Sequence, residues 1–146
     1  MEEVASHLRA FKLVQRFLRN PSGLPISVRL LSDAHRLLMD GVRGSGKQPG
    51  ELRRSQNWVG GTRSGRAVFV PPPPERVGPL FGDMEQFIHA APDLPPLAKI
   101  ALVHVQFETI HPYLDGNGRI GRLLIAALLE HFGLLPEPFM YLSGYL

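Results

Sequence analysis

The segment His111-Pro112-Tyr113-Leu114-Asp115-Gly116-Asn117-Gly118-Arg119-Ile120-Gly121-Arg122 gathers several chemistry-bearing residues into one short stretch. His111 is the side chain whose ordinary pKa suits proton transfer near neutrality. Asp115 offers the hard carboxylate oxygens that Mg2+ takes. Gly116 and Gly118 flank Asn117, so three successive residues tolerate unusual φ angles, and their amides can curl into an anion-binding nest. A helix opening directly afterwards adds its free N–H groups and the positive end of its dipole to the same place. Arg119 and Arg122, three apart, share a face of that helix. A base, a metal ligand, an amide cradle and two guanidinium groups are the components needed for attack on a phosphate. A turn between two core helices with incidental surface arginines explains a lone Gly-Asn-Gly, but not this full set.

The elements that must position these groups read as helices. Val4, Leu8, Phe11 and Leu18 have helical spacing across 2–19, and Asn20-Pro21 stops that helix. Ser27 reads as the N-cap of a second helix carrying Leu30, Leu31, Ala34, Leu37 and Leu38, which ends before Gly41. From 44 to 78 glycine and proline are dense and helical periodicity disappears. Only 67–70 looks extended, and it runs into Pro71-Pro72-Pro73-Pro74, expected to be polyproline-like. This region reads as a small hairpin or flap laid over the helices. Helices resume after Pro79 with Leu80, Met84, Phe87 and Ile88. A long, mostly buried helix follows through Leu97, Ile100, Ala101, Val103, His104, Phe107 and Glu108, and His111-Pro112 ends it. The last helix carries Ile120, Leu123, Leu124, Ala127, Leu128 and Phe132, with Gly133 as its C-terminal cap. The fold class is therefore all-α: a helical bundle around a central helix–loop–helix, with a short β-hairpin flap.

Size and composition bound the rest. At 146 residues the chain reads as a single domain over 1–146. A chain of this length buries about two-thirds of its unfolded surface, so it needs no metal or disulfide to fold. It ends at Tyr145-Leu146 without an obvious final helix, as a fragment would. No run reaches the ~18 apolar residues of a membrane span, and the acidic start is unlike a signal peptide. With no cysteine, a disulfide scaffold and Cys-ligated zinc are excluded, and a reducing cytoplasm fits. The net charge, 16 − 13 = +3, is too small to prove a polyanion partner. Thirteen of the sixteen cations are Arg, which suits phosphate recognition or merely reflects GC-rich codons.

Other motifs carry less. Gly41-Val42-Arg43-Gly44-Ser45-Gly46-Lys47-Gln48 nearly spells a P-loop, but Gln48 stands where Ser or Thr should bind Mg2+, and a helix precedes it. Arg53, Arg54, Arg63 and Arg66 read as solvated loop charge more readily than as a nucleic-acid surface, since aromatic interleaving is limited to Trp58 and Phe69. His104, two turns before His111, reads as core packing or outer support for it. His7, His35, His89 and His131 read as surface or packing residues.

The segment 111–122 resembles the signature of the Fic domain family, His-Pro-Phe-x-Asp/Glu-Gly-Asn-Gly-Arg-x-x-Arg, with Tyr113 in place of the usual Phe. Pro49-Gly50-Glu51-Leu52-Arg53, Trp58-Val59-Gly60-Gly61, Val68-Phe69-Val70-Pro71-Pro72, Gln106-Phe107-Glu108-Thr109-Ile110 and Tyr141-Leu142-Ser143 are also similar to stretches typical of bacterial Fic proteins. The resemblance implies a cytoplasmic bacterial enzyme that transfers AMP from ATP to a Ser, Thr or Tyr hydroxyl of a target protein, with Mg2+ and release of pyrophosphate. It implies His111 as general base, Asp115 as the Mg2+ ligand, and Gly116, Asn117 and Gly118 as an anion hole assisted by helical amides near Gly121. Arg119 would pair with the β-phosphate and Arg122 with the γ-phosphate. Ala67, Val68, Phe69 and Val70 would clamp the target backbone as an added strand.

Many Fic proteins carry an inhibitory helix, Ser/Thr-x-x-x-Glu-Gly/Asn, whose Glu engages the motif's second Arg. No such pattern occurs in 1–146, so the expectation is truncation or restraint by a separate protein. The alternatives are transfer of UMP or GMP on the same scaffold, or a nucleotide-binding toxin or interaction module without turnover. Gly118 argues against Doc-like phosphorylation, where Lys replaces this glycine.

Overall fold

The computed structural model describes residues 2–22, 25–41, 46–62, 64–90 and 93–135. They form five α-helices: α1 Glu2–Arg19, α2 Val28–Met39, α3 Pro74–His89, α4 Pro96–Ile110 and α5 Asn117–His131, with one 3₁₀ turn at Ser64–Arg66. Helix α1 packs on α2, α3 on α4, and α4 on α5, while α2 also reaches α3 and α5. Ala10, Val14, Leu30, Leu31, Phe81, Phe107, Ile110, Ile120 and Leu124 are sealed in one continuous core. Phe81 meets Phe107 and Tyr113 edge-on, at ring centroid distances of 5.9 and 6.3 Å. The bundle is thus centred on the helices that flank the Gly-Asn-Gly loop.

Ser27 caps α2 as its sequence indicates, accepting the Leu30 N–H at 3.2 Å. Two expectations change. Helix α3 begins at Pro74 rather than after Pro79, with Pro74 in the first turn and Pro79 inside the helix. Proline at N1 loses only an N–H that would have had no partner there, so the tetraproline's last ring starts a helix instead of continuing an extended run. Helix α4 is buried along one face only: Ile100, Val103, Phe107 and Ile110 face the core, whereas Leu97, Leu102 and Val105 are exposed.

The flap is slighter than a hairpin ladder. It is a single antiparallel bridge between Val59 and Phe69, each donating its N–H to the other's carbonyl, at 2.9 and 3.1 Å. Gly60 and Gly61 turn the chain with φ of 71° and 74°. A Cβ at Gly61 would collide with the Arg66 carbonyl, so the tight return needs glycine there. No helix among the described residues is long and apolar enough to cross a membrane. Part of the P-loop-like stretch, Arg63 and the segment containing Tyr141 lie outside the described residues.

Candidate active site

Helix α4 delivers His111. The helix ends at Ile110, and His111 is its C-cap in the left-handed region, φ 49° and ψ 62°, donating its N–H to the Phe107 carbonyl at 2.9 Å. A non-glycine residue held there stores strain of about 1–3 kcal/mol, which the surroundings must offset. The buried Arg53 supplies the restraint. Its guanidinium donates to the carbonyls of His111 (2.8 Å), Ile110 (3.2 Å), Pro72 (2.5 Å) and Ser55 (3.2 Å). Its own N–H donates to the Pro112 carbonyl at 2.9 Å. One side chain thereby ties the end of α4 to the segment that leads into the flap. The His111 ring is mostly covered, and burial holds its pKa below the ordinary histidine value, against the opposing pull of Glu108. It is therefore a neutral imidazole near pH 7, the form a base requires.

The loop after His111 is fixed from inside by Asn117. Its side-chain oxygen accepts the Tyr113 N–H at 2.9 Å and its amide donates back to the Tyr113 carbonyl at 2.7 Å. Asn57, beside the flap, donates to the same carbonyl at 3.2 Å. Tyr113 is fully buried, and its hydroxyl meets Ser32 Oγ at 3.1 Å, which satisfies the oxygen that distinguishes it from Phe.

Helix α2 holds the loop from the other side through His35. The Gly50 N–H donates to His35 Nδ1 at 2.8 Å, so the proton sits on Nε2, which donates to the Asp115 carbonyl at 2.8 Å. The ring stacks flat on Tyr113, 3.9 Å between centroids, and burial keeps it below its usual pKa. Gly116 then turns the chain with φ 80° and leads into α5 with no side-chain cap on that helix. A Cβ at Gly116 would lie 2.9 Å from Met39 Sδ and 3.2 Å from His35 Nε2. Gly116→Ala should therefore cost about 1–2 kcal/mol from the left-handed φ alone, with further loss as His35 is displaced. Thermal or urea unfolding measures it.

The first turn of α5 thus presents main-chain N–H groups that have no intrahelical acceptor. Asp115 takes the Gly116 N–H on Oδ1 at 2.6 Å, and its half-exposed carboxylate lies 3.8 Å from Arg119 Nη2. Arg119 also reaches Met39 Sδ at 3.2 Å. The Arg122 guanidinium folds back over the first turn, its Nη1 3.5 Å from where a Gly118 Cβ would stand. Base, carboxylate, helix start and both guanidiniums therefore surround one helix–loop–helix junction.

The Fic/DOC family model matches residues 25–129, most of the chain. The chain belongs to the Fic/DOC family. Among curated relatives it is 38% identical over 80 residues to a probable protein adenylyltransferase of Aquifex aeolicus, covering 55% of this chain and 25% of that protein. It is 34% identical over 118 residues to the protein adenylyltransferase Fic of Drosophila willistoni, covering 77% of this chain and 21% of that one. The chain thus spans about a quarter or less of these relatives' length. Among solved structures, a Fic family protein from Desulfovibrio desulfuricans superposes with a TM-score of 0.69 at 30% identity, over 89% of this chain and 36% of that one. A Fic domain containing signalling protein from Bacteroides thetaiotaomicron shares the fold, with a TM-score of 0.76 at 24% identity, over 90% and 48% of the two chains.

Within this Fic junction, the structure places three of the expected residues in further contacts. The Gly116 N–H is engaged by the Asp115 carboxylate, so the anion-binding amides of the helix start are those of Asn117 and Gly118. The Asn117 side chain braces the loop. Gly121 lies beyond the first turn, where its N–H belongs to the helix ladder. Its missing side chain is what matters, because a Cβ there would run into Glu108 Oε1 and stand 3.1 Å from His104 Cε1 on α4.

Sequence reasoning missed two residues, and each left a signal. His35 lies four residues after Leu31 on the apolar stripe of α2, a position where an exposed histidine is not expected. Arg53 belongs to the Pro49-Gly50-Glu51-Leu52-Arg53 stretch, but a loop arginine reads as solvated, and this one is 2% exposed. In the flap, Val68, Phe69 and Val70 are exposed and Ala67 is half-buried.

Proposed function

We propose that this Fic domain transfers AMP from ATP to a Ser, Thr or Tyr hydroxyl of a protein, as the names of its relatives indicate for those proteins. The observation that carries the reading is the junction itself: a neutral, strained His111 set beside an uncapped helix start flanked by Asp115, Arg119 and Arg122. The triphosphate lies over the first turn of α5, taking N–H groups of Asn117 and Gly118, with the Arg119 side chain on the β- and Arg122 on the γ-phosphate. His111 Nε2 removes the proton from the target hydroxyl. The hydroxyl oxygen bonds to the α-phosphorus, the bond from that phosphorus to the bridging oxygen breaks, and pyrophosphate leaves. These fixed donors meet the charge that develops on the leaving group.

The residues present fit Mg2+ held partly by substrate. No cluster of three or more His, Asp or Glu suited to a metal occurs among the described residues. Mg2+ nevertheless commonly binds through one or two carboxylates together with substrate phosphates and water. Asp115, half-exposed and with Oδ2 outside its bond to Gly116, would be that carboxylate. When bound, the ion would neutralise charge on the bridging phosphates.

The exposed residues Val68, Phe69 and Val70, with Ala67, offer an edge on which an extended target segment adds as a strand and brings its hydroxyl to His111. A separate protein or helix that brings a Glu to Arg122 would restrain this transfer.

The test is incubation with ATP labelled at the α- or the γ-phosphate, in the presence of Mg2+ and a bacterial lysate. Label on protein from the α-position alone, abolished by EDTA, is expected. Label from the γ-position would mean phosphorylation and would overturn the reading. UTP, GTP and CTP in parallel establish the base.

A further inference from the structure

We propose that Glu108 is the positioning residue for His111: its carboxylate occupies the slot that Gly121 leaves open between α4 and α5, and it orients the imidazole with its proton on Nδ1. The inference rests on the reading of His111 as the base, but its first readout is independent of catalysis.

Three observations converge. Glu108 stands one turn before His111, with Oε2 3.8 Å from Nδ1. His111 Nδ1 is sealed from solvent and makes no hydrogen bond of good geometry. Besides the Glu108 carboxylate, the Glu108 main-chain carbonyl one turn back also acts on the ring, and Glu108→Ala removes the carboxylate while keeping that carbonyl. The side chain as a whole is 20% exposed, so its accessible surface belongs to the rest of the ring. Finally, the Glu108 carboxylate is where it is only because residue 121 has no Cβ, since that atom would stand on Oε1. Gly121 is therefore needed for the carboxylate's passage between the helices.

The chemistry follows from these positions. A neutral imidazole bears one N–H and one lone pair. The nitrogen facing a carboxylate is the better place for the N–H, and Nδ1 is that nitrogen. Nε2 then keeps the lone pair with which a base works. When His111 takes up a proton, the adjacent carboxylate stabilises the imidazolium without itself being protonated, as the orienting acid does in a catalytic triad. The 3.8 Å separation is too long for a hydrogen bond, but catalytic contacts commonly tighten when substrate closes the site. The other charged or titratable groups nearby are His104 on the same face of α4, which lines the Gly121 slot, and Arg53, whose charge opposes that of Glu108 at the ring.

The experiment compares wild type with Glu108→Gln, Glu108→Ala and Gly121→Ala. Imidazole 15N spectra at a pH where His111 is neutral report the tautomer, and the transfer assay reports kcat and KM for ATP. The wild type should show protonated Nδ1 and bare Nε2. Glu108→Ala should move the population toward the other tautomer and lower kcat about ten- to a hundredfold, with KM for ATP nearly unchanged. Glu108→Gln, whose amide oxygen still accepts, should recover part of both. Gly121→Ala should behave like Glu108→Ala, because it displaces the carboxylate. Should Glu108→Ala fail to fold, the Gln variant and Gly121→Ala carry the comparison. A wild-type ring protonated on Nε2, or a tautomer and kcat indifferent to all three changes, would overturn the proposal. A tautomer shift in a protein whose transfer survives loss of His111 would uphold the positioning and refute the base.

Discussion

Replacing His111 with alanine should reduce transfer to protein hydroxyls by about 10²–10⁴-fold, the usual contribution of a positioned general base. Binding of Mg·ATP should persist, since the groups assigned to the triphosphate are main-chain N–H groups of α5 and the two arginines. The separation of effects is the informative part. A residue needed only for folding would lower binding and transfer together, and one needed only for nucleotide capture would raise KM. His111 is exposed enough to meet a hydroxyl and covered enough to stay neutral, with burial the dominant influence on its proton affinity. Labelled transfer and calorimetric nucleotide titration on the same preparation measure both quantities.

The second large effect is expected at Arg53, outside the motif. Arg53→Met removes a buried cation that donates to the carbonyls of His111, Ile110, Pro72 and Ser55. Methionine matches much of its length but donates nothing, so several buried acceptors lose their partner at once. Each such loss costs about 1–3 kcal/mol, and a total of about 3–5 kcal/mol is expected after relaxation. The consequence for activity is specific, because the same bonds hold His111 in its left-handed conformation and anchor the base of the flap. Arg53→Lys keeps the charge but not the planar fork, so it should recover only part of the loss. Urea unfolding gives the stability, and transfer by the folded fraction gives the activity.

What was legible in the sequence follows the range of the interactions involved. Helix α5 and its approach were readable because the Gly-Asn-Gly turn, the apolar spacing and the two arginines are local signals. The N-cap at Ser27 was readable for the same reason. The start of helix α3 is not legible locally because a run of prolines carries opposite meanings at its start and its end, and only the fourth ring stands at a helix's first turn. The exposed side of α4 was hidden because Leu97, Leu102 and Val105 are as apolar as its buried side.

Arg53 and His35 were beyond local reasoning. Arg53 bonds to residues nearly sixty positions away, and His35 bridges Gly50 and Asp115. Nothing in their neighbours' types announces those partners. The resemblance to Fic sequences implies roles for the motif residues, includes Arg53 in a similar stretch without a role, and passes over His35.

The claim that everything else depends on is that the triphosphate sits on the opening turn of α5. Amide 15N–1H spectra recorded while Mg·ATP is added examine it directly. The largest shifts are predicted at Asn117 and Gly118, saturating together, with little change across the glycine-rich stretch at 41–48. Shifts concentrated at 41–48, with the α5 amides unmoved at saturation, would contradict the account.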